Sequence, residues 1–185
     1  MSQKTEKIFE RAKVNLEEEN HENALRLLNE VLNREPSHKK ALRNKGLIKI
    51  LKESVEEAEE FLLFAIEQQP QDDQLYQMLG TLYHNHEQPT KALAQFKKAV
   101  EINSANAIAQ QGLGMIYAHI FGEHDQAITH FTNAIEANSN KADVFFNRGC
   151  SYMITEEESK AEDDFRKADE MGHKKSGEML KKYFN

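Results

Sequence analysis

The residues of this chain that could do chemistry are eight histidines, a single cysteine and one concentrated run of lysines. His84 and His86 sit two residues apart, and His119 and His124 follow near a later turn. Imidazoles in such numbers can bind zinc or nickel. No cysteine or spaced carboxylate completes a ligand set, so polar turn residues are the better reading, and no metal or other cofactor is expected. Cys150 would need a neighbour that stabilises its thiolate, and Asp143 and the other local acids work against one. Lys39, Lys40, Arg43, Lys45, Lys49 and Lys52 concentrate positive charge in one stretch. Such a patch is able to hold a carboxylate or an acidic peptide, although a solvated helix face explains part of it. The chain has no phosphate-cradling glycine loop, no CxxC or HExxH and no nucleophile elbow. No catalytic residue and no enzyme are expected.

The elements that must position these residues are readable from spacing. Tyr76, Leu79, Gly80 and Tyr83 are followed by Ala92, Phe96 and Ala99, at intervals that place them on the facing sides of two helices. The small residues Gly80 and Ala92 allow a close approach. A single helix pair of this kind leaves one apolar side uncovered, which predicts copies on either side. The copies are present. Pro36 and Pro70 stand 34 residues apart, as do Ala24, Ala58 and Ala92, and Gly46, Gly80 and Gly114.

This pattern and period resemble the tetratricopeptide (TPR) family of helix hairpins, from about Thr5 to about His173. The resemblance implies an all-α, right-handed α-solenoid of antiparallel hairpins. Units are expected at about 5–38, 39–72, 73–106, 107–141 and 142–173, forming a single domain. A capping helix is expected over 174–185, with Met179, Leu180 and Tyr183 on one face. The first unit carries Arg11 and Asn15 where apolar residues are expected, as suits a terminal repeat with one face in water. The fourth is one residue longer, with the insertion in 120–125 and Gly122 at its turn. Ser54 with Glu57, and Thr155 with Glu158, each read as a capping box at the start of a second helix. Pro89 suits the first turn of another.

In TPR arrays the first helix of each hairpin lines a groove that binds a partner's peptide. The resemblance places Lys40, Arg43, Asn44 and Leu47 there in the second unit, and Gln74, Gln77, Thr81 and His84 in the third. The fourth contributes Gln111 and Met115, and the fifth Phe146, Cys150 and Met153. The ends differ: Lys40 and Arg43 make one basic, while Met115, Phe146 and Met153 make the other apolar and adaptable. TPR co-chaperones that grip acidic chaperone tails use a clamp of lysine, asparagine and arginine. Read from the first unit, this chain puts Phe9, Lys13, Asn44, Gln74 and Met78 at those places, and only Asn44 fits.

Composition agrees with an extended repeat array. Mean hydropathy is −0.75, and thin arrays expose more surface per residue than spheres. A net charge of −7 argues against nucleic acid and against an anionic membrane surface as partners. The single cysteine and the lack of an apolar leader or spanning run lead to an expected cytoplasmic location. The expected function is a non-catalytic scaffold that binds a segment of another protein. Self-assembly into a structural homo-oligomer is the alternative.

Overall fold

The computed structural model describes residues 2–184, and all of its regular elements are helical. Among the described residues there are eleven α-helices. In order they are α1 (Gln3–Glu17), α2 (His21–Arg34), α3 (Lys39–Lys52), α4 (Val55–Gln68), α5 (Asp73–Asn85), α6 (Pro89–Ile102), α7 (Ala107–Ile116), α8 (His124–Glu136), α9 (Ala142–Ile154), α10 (Glu158–Glu170) and α11 (Ser176–Tyr183). No helix is long and apolar enough to cross a membrane among the described residues. The chain divides into two compact units between Leu82 and Tyr83, within α5.

The repeat spacing decides what is buried. Ala24, Ala58, Ala92, Ala127 and Ala161 occupy one register position in α2, α4, α6, α8 and α10, and all are fully buried. Four residues on, one turn away on the same face, stand Leu28, Leu62, Phe96, Phe131 and Phe165, also buried. Burying each of these larger side chains contributes about 1.5–3 kcal/mol. Small residues face them. A Cβ on Gly46 would lie 3.0 Å from Leu62 Cδ2, and one on Gly114 would lie 2.7 Å from the Phe131 ring.

In the first unit α1 packs on α2, α2 on α3 and α3 on α4. Ile8, Phe9, Ala12, Leu27, Leu28, Val31 and Ile48 form its central core. In the second, α7 packs on α8, α8 on α9, α9 on α10, and α10 on α11. The last contact is tight: a Cβ on Gly177 would lie 3.0 Å from Asp169 Oδ1.

Helix ends follow local chemistry. Ser54 and Glu57 form the full reciprocal capping box at the start of α4. Pro89 opens α6, where its missing N–H costs nothing. The extra residue of the fourth repeat is absorbed as a π-helical turn, Tyr117–Phe121, that prolongs α7 before Gly122 turns at φ +68°. The second expected capping box does not form. Thr155 ends α9, and its hydroxyl donates back to the Ser151 carbonyl at 3.3 Å. Glu156 then adopts φ +63°, and α10 starts only at Glu158, with Glu157 as its uncapped first flank. The sequence pattern is met, but the helix starts two residues too late to use it.

Candidate functional site

The first helices are set in place by the residues just before them. His38, Asp72 and Asn106 recur at intervals of 34, and each accepts a backbone N–H with its side chain. His38 Nδ1 takes the Ala41 N–H at 3.2 Å, and its ring lies 4.9 Å from that of Phe9. Asp72 Oδ1 takes the Gln74 N–H at 3.1 Å. Asn106 Oδ1 takes the Ala109 N–H at 3.0 Å. These caps satisfy orphan donors and fix where the following side chains point.

In the first unit a cleft of about 320 Å³ opens between α1, α3 and the start of α5. Phe9, Lys13, Lys40, Arg43, Asn44 and Gln74 line it. Four of the predicted residues, Lys40, Arg43, Asn44 and Gln74, are therefore brought together. Their chemistry differs from what the sequence suggested. The Arg43 guanidinium is committed to Asp72, with Nε at 2.8 Å from Oδ2 and a terminal nitrogen at 2.5 Å from Oδ1. Asp72 is fully buried. Lys39 approaches the same carboxylate at 3.8 Å. Lys13 pairs with Glu10 at 3.0 Å, whose carboxylate raises the lysine pKa. Lys40 has no ion-pair partner among the described residues and is exposed. It is the cation of this cleft that is free to meet a ligand. Leu47, on α3, is outside the cleft lining and about half exposed. Gln77 and Thr81, one turn apart on α5, bond to each other at 3.2 Å.

In the second unit a larger cleft, about 590 Å³, opens between α7, α9 and the segment after α10. Gln111, Met115 and Phe146, three of the residues singled out in the sequence, line it. Asp143, Asn147 and the segment from Gly172 to Lys175 join them. His173 stacks on Phe146 with 4.0 Å between ring centres. Its Nε2 lies 3.4 Å from Asp143 Oδ1, and its Nδ1 lies 3.0 Å from the Oγ of buried Ser176. The histidine thereby ties the approach to α11 to the face of α9, which leaves Lys174 and Lys175 at the rim. Cys150 and Met153 lie further along α9, half-buried and outside the cleft lining. Burial pushes the Cys150 thiol up to about 11, so it stays protonated at neutral pH and is no nucleophile. His84, at the end of α5, is half-buried and outside the lining.

Two contributors escaped the sequence. Asp72 pairs with a residue 29 positions earlier, and no local pattern announces such a contact. The Gly172–Lys175 segment carried only a lysine pair as its signal. Among the described residues, no three histidines, cysteines or carboxylates gather where they could hold a metal ion. The arrangement is two clefts with aromatic floors, amide-bearing walls and exposed lysines, suited to non-covalent capture.

A family model described as the Psidin N-terminal TPR repeats region matches residues 6–129. The chain is 31% identical over 118 residues to anaphase-promoting complex subunit 3 of Schizosaccharomyces pombe, across 64% of this chain and 18% of that protein. It thus spans under a fifth of the length of this curated relative. Among solved structures, it resembles YrrB, described as a TPR protein with an unusual peptide-binding site. Identity there is 28% and the TM-score 0.69, over 95% of this chain and 90% of that one. MamA follows at 22% identity and a TM-score of 0.69, covering 100% and 98% of the two chains. The Pseudomonas aeruginosa protein PilF has a TM-score of 0.79 at 14% identity, over 97% and 91%. The last two likenesses concern the fold alone.

Proposed function

Because the chain belongs to the TPR family, whose all-α hairpin fold serves as a protein-interaction scaffold, we propose that it is a non-catalytic module that holds a peptide segment of a partner protein against its first helices. The observation that carries this reading is the pair of clefts built on those helices. In one, exposed Lys40 stands beside Asn44 and Gln74 over Phe9. In the other, Met115 and Phe146 offer an apolar floor beside Gln111 and Asn147. Amides of this kind satisfy the backbone groups of an extended peptide, while a half-buried aromatic and a methionine take its apolar side chains. The peptide-binding site attributed to the similar YrrB supports the same reading. Lys40 favours an acidic residue near the first cleft, and Lys174 and Lys175 favour one near the second. The chain should work in a compartment where Cys150 stays reduced, the cytoplasm being the natural one.

The experiment is capture from an extract of the native cell on the immobilised chain, comparing wild type with Lys40→Glu and Phe146→Glu. Partners identified by mass on the wild type should be depleted on both variants. Undiminished capture by both would contradict the reading.

A further inference from the structure

The outward face of α4 breaks the rule that the repeats otherwise keep. Leu63 and Phe64 lie five and six residues after the register alanine Ala58. At the same two places the other second helices carry Asn29 and Glu30, Lys97 and Lys98, Thr132 and Asn133, and Arg166 and Lys167. Leu63 and Phe64 are each 45% exposed, so packing within the chain does not account for them. Two neighbouring large apolar residues where every other repeat is polar mark a surface made for contact.

The surroundings state the chemistry of that contact. On a helix, Glu60 and Glu67 fall three and four residues from Leu63 and Phe64, and Glu56 falls one turn before Glu60. All three glutamates are exposed, and none has an ion-pair partner among the described residues. Like charges four apart, as Glu56 and Glu60 are, weaken an isolated helix, and only the helix N-terminus beside Glu56 acts against this among the described residues. Two cations of α3 that lie against Phe61 and Phe64 already have partners on the chain. Lys49 bonds to Glu53, and Lys45 lies 4.7 Å over the Phe61 ring. Beside Phe64 a recess of about 400 Å³ runs between α2, α3 and α4, lined by Asn29, Leu32, Asn33 and Phe61 among others, with Lys45 held at its wall by the Phe61 ring.

We propose that this face is a second docking surface, separate from the clefts on the first helices. It takes a basic protein segment with an apolar anchor: an aliphatic or aromatic side chain seated on Leu63 and Phe64, flanked by lysines or arginines that reach Glu56, Glu60 and Glu67. Charge complementarity selects this occupant. A second copy of the chain would set the same three carboxylates against themselves, which opposes self-association through this face. This proposal stands whether or not the clefts bind a peptide.

A phage-displayed library of random dodecapeptides, selected on the full chain, tests it. Enriched sequences are made as labelled peptides and their Kd is measured by fluorescence anisotropy. The expected result is a set of peptides that carry Lys or Arg beside a large apolar residue. Their affinity should fall at least about tenfold on the double variant Leu63→Asn, Phe64→Glu. It should also fall on Glu60→Gln, Glu67→Gln, and should be unchanged on Lys40→Glu. The first variant installs the residues of the first repeat and adds negative charge, so attraction by charge alone would survive it. Equal or tighter binding to that variant overturns the proposal, as does an acidic consensus or a selection yielding no peptide sensitive to it. A dimer seen by sedimentation of the wild type and lost in the same variant also overturns it, by naming a second copy as the occupant. Far-ultraviolet circular dichroism verifies that each variant remains helical.

Discussion

Arg43 reaches from α3 to the buried carboxylate of Asp72 and grips both of its oxygens, while the same carboxylate caps the start of α5. One contact thereby neutralises a charge that has no exposure to water and orders the next helix of the first unit. A buried pair of this kind adds little over a well-packed apolar alternative, yet it is costly to break from one side.

The first prediction follows from that asymmetry. Arg43→Ala should destabilise the chain by about 3 kcal/mol, because it leaves the buried Asp72 carboxylate with only the more distant Lys39 as a charge partner. Lys40→Glu, one turn away and without a partner, should change stability by no more than about 0.5 kcal/mol. Urea denaturation followed by circular dichroism measures both. Equal effects would show that Arg43 is not the structural partner of Asp72. The result also guides binding work, since loss of capture in an Arg43 variant would confuse unfolding with lost contact.

Gly114→Ala should cost about 1–3 kcal/mol by overpacking. The new methyl would stand 2.7 Å from the Phe131 ring, inside any normal contact distance. Combining it with Phe131→Leu should recover part of the loss, a coupling visible in a double-mutant cycle. Strict additivity of the two changes would contradict the close contact.

His130 supplies a pH dependence. Its Nδ1 lies 2.7 Å from Gln110 Oε1, and its ring stacks on Tyr117 at 5.3 Å. Burial, with Lys97 adding to it, holds its pKa below the ordinary 6.5. Above 6.5 the ring is neutral whether the chain is folded or not, and its full contribution is present. As pH falls below 6.5 the unfolded chain takes up the proton first, so stability is lost until the folded pKa is passed. His130→Gln keeps a donor for Gln110 and removes the titration. The wild type should therefore lose more urea resistance than the variant between about pH 7.5 and pH 5.5. Parallel profiles would dismiss the effect.

Much of the fold was legible because it is periodic. The five alanines at one register position, with Leu28, Leu62, Phe96, Phe131 and Phe165 one turn on, are all buried as a 3.6-residue helix repeated every 34 or 35 residues requires. Pro89 and the Ser54 capping box were legible because they act within four residues. Contacts between distant positions were not. Nothing near Arg43 in the sequence points to Asp72, and nothing near Lys174 says that His173 will lie on Phe146. Thr155 shows the limit of a local motif: the residues of a capping box are there, but a left-handed Glu156 gives the threonine to the end of α9 instead. The one-residue insertion was visible as a count, whereas its accommodation as a π-helical turn ending at Gly122 depends on packing of α7 against α8.

The most direct test of the central claim is amide hydrogen exchange on the chain alone and bound to the partner that wild-type capture enriches most. Added protection is predicted on the cleft-lining stretches of the first helices. In one unit these are around Lys40 to Asn44 and Gln74, and in the other around Gln111 to Met115 and Phe146, with the Gly172–Lys175 segment. Protection confined to the second helices, with those stretches unchanged, would contradict the account.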